Sequence, residues 1–305
     1  MMHYIVRRML QIIPVLLIIS FIVFTLVFIA GDPVALMLPE DAALEEIEQL
    51  RESLGLNEPF YIQYGNYVFR MIQGDFGESF RYGQDALSVV LERLPATFEL
   101  AIAAIVIAIM IAIPFGIWSA TKQNSSIDLI ATGAAVVGKA MPNFWLGIML
   151  ILLFSVTLGV LPVSGRGSIA HLILPAITLG TGIAAEMTRL IRSSMLEILN
   201  QDYIRTAKSK GIKSVHVIYK HAFRNALIPF VTITALQTST LIGGALITET
   251  VFAWPGIGQL LIQAVNTRDM AIVQACVMII AAIVILMNLL ADIIYRILDP
   301  RIKLN

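Results

Sequence analysis

The stretch QDYIRTAKSKGIKSVHVIYKHAFRNALIP, residues 201–229, interrupts a chain that is otherwise mostly apolar. It contains six basic residues and only one acidic residue, Asp202, and apolar residues recur between them. This spacing predicts short amphipathic helices that are broken at Gly211. Two interpretations are open: a cytoplasmic partner docks on a structured loop, or the basic residues only hold the loop in the cytoplasm. Topology requires few charges, so the length and patterning of the stretch favour docking.

The composition on either side of this stretch is that of a membrane protein. The 305 residues are 58% hydrophobic and 14% charged, whereas a soluble domain carries about 25% charged residues. Six apolar stretches reach the roughly 20 residues that cross a bilayer, where helices satisfy the backbone internally. They lie at residues 9–30, 100–120, 132–157, 171–193, 226–247 and 271–295. The predicted fold class is therefore an all-α integral membrane domain with six transmembrane helices. Pro114, Pro142 and Pro175 predict kinks or local rearrangements inside three of these helices.

The distribution of lysine and arginine predicts how these helices are oriented. With the N-terminus inside, fourteen of the 21 basic residues fall on the cytoplasmic side or at its helix ends. Both termini are therefore predicted to be cytoplasmic. The first span follows Arg7 and Arg8 but is long for a signal peptide and lacks a clear cleavage site. It is predicted to be an uncleaved anchor.

Two loops are predicted to lie outside the membrane. Residues 31–97 carry twelve acids and four bases, and their pattern predicts helices at 40–54, 59–72 and 86–94. The first two helices are expected to end at Gly55 and Gly74, and the third to lie along the membrane interface. The second loop contains FAWPGIG, residues 252–258, with aromatic residues typical of a membrane interface. Its proline and glycines predict a fixed turn, and we hypothesise an outer gate formed by Trp254, Pro255 and Gly256.

Three charged residues lie within or near the predicted spans: Lys139, Glu186 and Arg189. Charge is costly in a bilayer, so these side chains are expected to face the bundle interior or a wet cavity. Glu186 and Arg189 are three residues apart on one helix and can form a structural pair. Alternatively, Lys139 pairs with Glu186 from the next span or lines a translocation path. Lys139 and Glu186 are therefore candidate path residues.

Motifs for nucleotide, metal or nucleophilic chemistry are incomplete. Residues 133–140, GAAVVGKA, are nearly a Walker A motif but lack the final Ser or Thr and the preceding strand. Residues 180–185, GTGIAA, fit a loose dinucleotide pattern, yet their small side chains more simply allow close helix packing. The four histidines show no metal-ligand spacing, and the single cysteine, Cys276, is predicted to be a small core residue. No catalytic residue, metal site or bound cofactor is predicted in this chain.

Residues 202–211 resemble the cytoplasmic coupling loop of ABC-importer permeases, in the version found in the dipeptide, oligopeptide and nickel branch. The general pattern is Glu-Ala-Ala, three residues, then Gly. Arg205-Thr206-Ala207 and Gly211 hold those places here, and the first two positions depart from the pattern. The segment RNALIP at 224–229 continues the resemblance. Further motifs similar to that branch are GDP at 31–33, GDFG at 74–77, FAWPGIG at 252–258 and DPR at 299–301.

The resemblance implies the transmembrane domain of a type I ABC importer in a bacterial or archaeal cytoplasmic (inner) membrane. An anchor with an extracytoplasmic segment would cover residues 1–97, and a cytoplasmic tail residues 299–305. Between them, at 98–298, would lie the ABC transmembrane domain with its coupling loop at 194–225. The residues that would couple the chain to an ATPase are Asp202, Tyr203, Arg205, Thr206, Ala207, Lys208 and Gly211.

The resemblance also implies partners and solutes. ATP-binding subunits would hold ATP and Mg and hydrolyse the ATP, so this chain itself would be non-catalytic. A second permease subunit, usually non-identical, and the lipid bilayer would complete the pathway, and nucleic acid is not an expected partner. Residues 31–97 would receive an extracytoplasmic substrate-binding protein, or alternatively form only a folded cap. Short peptides are the expected solutes, with nickel chelates, glutathione and other small solutes as alternatives.

A self-sufficient secondary transporter or channel is the rival interpretation from another class. It predicts inverted repeats, broken helices and paired ionisable groups near the bilayer midplane. The sequence contains no convincing repeat, and few charges fall within its spans. A membrane-embedded enzyme is favoured less still, because the sequence offers no nucleophile–base pair.

Overall fold

The computed structural model describes residues 2–29, 34, 43–53 and 55–298, and this part of the chain is mostly helical. The motifs at 31–33 and 299–301 and the predicted tail at 299–305 lie outside the described residues. The elements in chain order are α1 (Met2–Ile29), α2 (Leu44–Ser53), α3 (Phe60–Ile72), β1 (Glu78–Ser79), β2 (Gln84–Asp85), α4 (Ala86–Thr121), α5 (Ser126–Ala140), α6 (Asn143–Leu150, continuing as a π-helix over Ile151–Thr157), α7 (Ile169–Leu199), α8 (Asp202–Ser209), α9 (Ser214–His216, continuing as a π-helix over Val217–Phe223), α10 (Arg224–Val251), α11 (Ile257–Thr267) and α12 (Met270–Leu298).

Within this part of the chain, four helices are long and apolar enough to cross a membrane: α1, α4, α7 and α12. Two bent pairs raise the number to six if each pair forms one span. One pair is α5 with α6, and the other is the two parts of α10, Pro229–Leu241 and Ala245–Val251, which meet at 57°. The six predicted spans correspond to these four helices and two bent pairs.

The sharpest bend lies at Pro142, between α5 and α6, whose axes differ by 106°. Met141 precedes it in an extended conformation, with φ −75° and ψ 127°, as steric conflict with a following proline ring dictates. Helices α4 and α7, in contrast, continue through Pro114 and Pro175. The predicted rearrangement is therefore confirmed at Pro142 and takes the form of a break rather than a kink.

The prediction of a separate interfacial helix at residues 86–94 is wrong, because these residues form the first turns of α4. Asp85 caps this helix: its carboxylate accepts a hydrogen bond of 2.8 Å from the backbone N–H of Ser88. Pro95, which follows the predicted helix, does not end it, and the helix continues into the apolar stretch. The result is one helix of 36 residues.

The chain forms two compact units, and the first comprises Met1–Ala96 and Pro255–Ile285. The first two helices predicted in the 31–97 segment are confirmed here as α2 and α3, although the predicted start of α2 at residue 40 lies outside the described residues. Gly55 and Gly74 follow these helices with φ of +68° and +82°, the left-handed region that glycine adopts without steric cost. Their predicted role as helix ends is therefore confirmed.

The core of the first unit joins α4, α11 and α12. Ala86, Val89 and Val90 of α4 pack with side chains of both other helices, and Cys276 is completely buried among them, as predicted for a core residue. Helix α11 itself was not predicted, because its 11 residues fall short of the length that marks a span. The residues that α11 and α12 contribute to this cluster are Ile257, Leu260, Ala264, Ile272, Ala275 and Cys276.

The second unit comprises Thr97–Trp254 and Leu286–Asn305, and small residues bring its helices close together. A Cβ atom added at Gly180 of α7 would lie 2.8 Å from the backbone oxygen of Ala104 of α4. A Cβ atom added at Gly116 of α4 would lie 2.7 Å from the side chain of Ile191. Small side chains at a helix crossing permit this approach of the two backbones. The packing interpretation of the GTGIAA motif is confirmed at Gly180.

Candidate functional site

The coupling segment is an anchored helix followed by a glycine turn. Helix α8 covers Asp202–Ser209, as the amphipathic pattern predicts. Ile204 is fully buried and Ala207 nearly so, and both hold the helix against the rest of the second unit. Tyr203 Oη accepts a hydrogen bond of 2.9 Å from Asn225 Nδ2 at the start of α10. The helix is therefore fixed at one face by apolar burial and at one end by a tether to a predicted span.

Gly211 ends this segment in a left-handed conformation, with φ of +77°. Its N–H donates to the carbonyl oxygen of Lys208 at 3.0 Å, and the N–H of Ile212 donates to that of Ala207 at 3.3 Å. This pair of bonds is a Schellman motif, which satisfies carbonyls at a helix end and favours glycine. The predicted break at Gly211 is confirmed, and its geometry fixes the direction in which the chain leaves α8.

The opposite face of α8 is open to solvent. Asp202, Tyr203, Arg205, Thr206 and Lys208 are exposed. Asp202 and Arg205 form an ion pair of 3.4 Å that is itself largely exposed, and such pairs contribute little to stability. Four of the seven predicted coupling residues, Asp202, Arg205, Thr206 and Lys208, thus present polar groups outward, while Tyr203 and Ala207 anchor the helix and Gly211 turns the chain.

The two candidate path residues are brought together in the second unit. Lys139, at the end of α5, donates a hydrogen bond to Glu186 Oε1 of α7. Gln237 of α10 donates a hydrogen bond from its amide nitrogen, Nε2, to the other carboxylate oxygen, Oε2. Of the two predicted arrangements the structure therefore has the Lys139–Glu186 pair, while Arg189 is exposed. Gln237 was not predicted as part of this site. In the sequence it stands out only as an amide side chain within a predicted span.

A cavity of about 220 Å³ opens beside this cluster. The wall is formed by α5, α7 and α10 together with the bend between α5 and α6. The residues that line it are Gly138, Lys139, Met141, Asn143, Leu179, Gly182, Ile183, Glu186, Gln237, Thr240 and Leu241. The break at Pro142 therefore places Met141 and Asn143 at a polar cavity.

A second ion pair in this unit was not predicted. Asp128 of α5 accepts two hydrogen bonds from Arg192 of α7, Nε to Oδ1 at 2.7 Å and Nη2 to Oδ2 at 2.8 Å. Ser119 also donates to Asp128 Oδ1, and the backbone N–H of Asn124 donates to Oδ2 at 2.9 Å. Asp128 is buried, so these four donors compensate a charge that would otherwise be costly. The network ties the α4–α5 turn to α7 at Arg192, upstream of the coupling helix that begins at Asp202.

The turn at residues 252–258 is fixed, as predicted, and its aromatic residues pack inside the protein. Phe252 and Trp254 are almost fully buried in the protein. The N–H of Trp254 donates to the carbonyl oxygen of buried Glu249 at 2.8 Å, and Thr97 Oγ1 donates to the Glu249 carboxylate at 2.8 Å. The indole ring also lies 5.8 Å from the guanidinium carbon of Arg166.

The GDFG motif at 74–77 forms a compact turn in the first unit. Asp75 accepts hydrogen bonds from Arg70 Nε at 2.8 Å and from the backbone N–H of Gly77 at 2.8 Å. The Arg70 guanidinium, followed by the Gly77 N–H, holds the pKa of Asp75 below its usual value. The pair is about half exposed, so its main consequence is local: it fixes the turn between α3 and β1.

Two family profiles together cover nearly the whole chain. The profile of the binding-protein-dependent transport system inner membrane component matches residues 112–304, and that of the N-terminal part of the same components matches residues 1–101. The dipeptide transport system permease protein DppB of Alkalihalophilus pseudofirmus is 42% identical over 99% of this chain and 100% of its own length. The oligopeptide transport system permease protein AppB of Bacillus subtilis is 43% identical with the same coverage. The glutathione transport system permease protein GsiC of Escherichia coli is 40% identical over 99% of each chain.

Solved structures share the fold. A chain of the inward-facing methionine ABC transporter MetNI matches 69% of this chain and 96% of its own length, with a TM-score of 0.57 and 17% identity. A chain of an amino acid ABC transporter matches 68% and 94%, with a TM-score of 0.55 and 15% identity. At these identities the likeness concerns the fold alone. The family profiles and the full-length relatives go further: this multi-pass membrane protein belongs to the family of inner-membrane components of binding-protein-dependent transport systems.

Proposed function

We propose that this chain is the permease subunit of an ATP-driven importer and forms part of the pathway for short peptides delivered by a binding protein. The observation that carries this proposal is the coupling segment: α8 is anchored by Ile204 and Tyr203 and presents a polar face to solvent. Full-length relatives that are dipeptide and oligopeptide permeases support the choice of solute. Nickel chelates, glutathione and other small solutes are the alternatives, and a glutathione permease is also among the relatives.

ATP-hydrolysing partner subunits grip the exposed face of α8 in this proposal. ATP and Mg are bound by those subunits, and this chain contributes no catalytic residue. Closing of the ATPases moves α8 as a lever, because buried Ile204 and the Tyr203–Asn225 bond attach it to the rest of the second unit. A switch of this kind requires contacts that differ between the inward- and outward-open states. Asp202, Arg205, Thr206 and Lys208 are the side chains we assign to those contacts.

The orientation follows from the same assignment. If α8 meets ATPases, it lies in the cytoplasm, and the excess of basic residues on that side supports this placement of both termini. The acidic segment at 31–97 is then extracytoplasmic, where it receives the binding protein or caps the bundle. We retain the boundaries proposed from the sequence: residues 1–97, 98–298 with the coupling loop at 194–225, and 299–305.

We assign the outer gate to Trp254, Pro255 and Gly256. The fixed turn around Trp254, held through Glu249, Thr97 and Arg166, supports a rigid gating element rather than a mobile loop. Cross-linking this turn to its counterpart in the second permease subunit is expected to block uptake. Uptake that is unaffected by the cross-link would contradict the gating role.

One structural feature favours the alternative function, an ion-coupled transporter: α5 and α6 form a broken span beside an ion pair. The break is explained locally by Pro142, and α8 has no role in that rival. A second, non-identical permease completes the pathway in our proposal.

The test is gentle solubilisation of the tagged chain from its native membrane, followed by identification of the proteins that co-purify. Recovery of ATPase subunits, a second permease and a binding protein loaded with peptide is expected. If the co-purified binding protein holds another ligand, only the assignment of short peptides as the solute would be wrong. Recovery of the chain alone, in a form that transports without ATP, would contradict the proposal.

A further inference from the structure

Three helices of the second unit meet at one carboxylate. Each oxygen of Glu186 receives a different donor, Lys139 Nζ from α5 and Gln237 Nε2 from α10. The amide of Gln237 is itself oriented, because its Oε1 accepts a hydrogen bond of 2.8 Å from Thr240 Oγ1. Gln237 therefore positions the carboxylate, and Lys139 balances its charge.

Both charged groups remain accessible from the cavity that they line. The side chain of Lys139 is 53% exposed and that of Glu186 is 29% exposed. Asn143 and Thr240 add further polar groups to the same wall. If the pair only bridged helices, we would expect burial to shield it from competing groups. The exposed Lys139–Glu186 pair can instead exchange partners with a solute.

Two opposite charges at one point in a membrane-spanning unit suit a particular class of solute. A lone lysine would favour anions and a lone glutamate cations, but an accessible pair offers a partner to each end of a zwitterion. When a solute ammonium binds Glu186 and a solute carboxylate binds Lys139, two new ion pairs replace the original one. No charge is left unpaired, which avoids the cost of an isolated charge at membrane depth.

We propose that the Lys139–Glu186–Gln237 cluster is a subsite for the charged termini of a zwitterionic solute, with the ammonium on Glu186 and the carboxylate on Lys139. This inference rests on the proposed function, since a short peptide with free termini is such a zwitterion. The cluster acts as a specificity element that is separate from any selection made by the binding protein.

The experiment measures binding to the purified transporter in lipid nanodiscs without its binding protein, by saturation-transfer NMR. Three probes are compared: the dipeptide Ala-Ala, its N-acetyl form, which lacks the ammonium, and its amide, which lacks the carboxylate. In Lys139→Met, binding of the two carboxylate-bearing probes should weaken about tenfold, the scale of one hydrogen bond between charged groups, while the amide is spared. In Glu186→Gln, the two ammonium-bearing probes should weaken and the N-acetyl form should be spared.

A purely structural role predicts a different pattern. It would weaken all three probes alike in both variants, and that outcome, or no binding of Ala-Ala by the unaltered transporter, would overturn the proposal. Arg189→Gln is the matched control, because Arg189 is an exposed charge one turn along α7 and should leave all three affinities unchanged. If a single variant fails to assemble, the double variant K139Q/E186Q leaves no unpaired charge and should lose affinity for every charged terminus.

Failure of the inference can be told apart from failure of the proposed function. ATP-driven uptake of Ala-Ala by the complete unaltered importer tests the proposed function alone. If that uptake is present but the crossed pattern of binding is missing, only the subsite is wrong. We expect Lys139→Met to lower uptake of Ala-Ala while the complex with its partners still assembles.

Discussion

Gly211 is a single residue on which the coupling geometry depends. Glycine adopts its φ of +77° readily and asparagine tolerates it. Proline cannot adopt it, because the ring fixes φ at about −65°. The N–H of Gly211 also donates to the carbonyl oxygen of Lys208. The sequence predicts the break, because glycine after an amphipathic pattern is a local signal. The Schellman bonds that set its direction become visible only in the structure.

Gly211→Pro is expected to leave the protein in the membrane but to uncouple ATP hydrolysis from uptake. The measurement is the number of ATP molecules hydrolysed per solute imported in proteoliposomes. Gly211→Asn is the matched control, since asparagine accepts the left-handed conformation and keeps the N–H. It should retain most of the coupling, and tight coupling in the proline variant would contradict the lever assignment.

The Asp128–Arg192 pair makes a second prediction at this scale. Arg192→Met would leave Asp128 buried without its partner and should lower the free energy of unfolding by about 3 kcal/mol or more. Chemical unfolding of the solubilised protein measures the change. Arg189→Met, on the same helix but exposed, should change stability by less than about 0.5 kcal/mol. The double variant D128L/R192M should recover much of the loss, because neither charge remains; no recovery would contradict this explanation.

At the scale of elements, the features that the sequence predicts are those with local causes. The amphipathic α3 and α8, the ends at Gly55 and Gly74 and the break at Pro142 all follow from side-chain pattern and backbone chemistry. Helix α11 was missed because its 11 residues are too few to mark a span. The strands β1 and β2 were missed because two residues are too few to show an alternating pattern. The burial of Trp254 was missed because it depends on contacts with distant parts of the chain, such as the one with Arg166.

The candidate site shows the same division. Lys139 and Glu186 stand out in the sequence because charge is rare in an apolar span. Their pairing was one of two predicted arrangements, and distance along the chain could not decide between them. Gln237, Asp128 and Arg192 gave no comparable signal, because an amide or a charge near a helix end is common. Their roles depend on which helices pack together.

The crossing of α4 and α7 yields a prediction about these elements. Gly180→Ala places a methyl group 2.8 Å from the Ala104 carbonyl oxygen, closer than contact distance, so the helices must move apart at a cost of about 1–3 kcal/mol. Gly133→Ala in α5 is the control, because its added Cβ meets nothing within 4 Å. Chemical unfolding of both variants compares them. Equal stability of the two variants would show that this close approach is not required.

On the scale of the whole molecule, the proposed pathway residues and the proposed lever lie in the same part of the chain. The cavity at Lys139 and Glu186 and the helix α8 both belong to the second compact unit. Helix α7 carries Glu186 at the cavity and Arg192 in the buried network, and it ends directly before α8. In the proposed mechanism, a displacement of α8 would reach the cavity through the short turn at Asn200 and Gln201 and then along α7.

The most direct test of the central claim is uptake of radiolabelled Ala-Ala into proteoliposomes that contain the complex purified with this chain. We predict that uptake requires ATP and the binding protein and that it persists when a protonophore collapses the ion gradients. Uptake that proceeds without ATP and is abolished by the protonophore would contradict the account and identify an ion-coupled transporter instead.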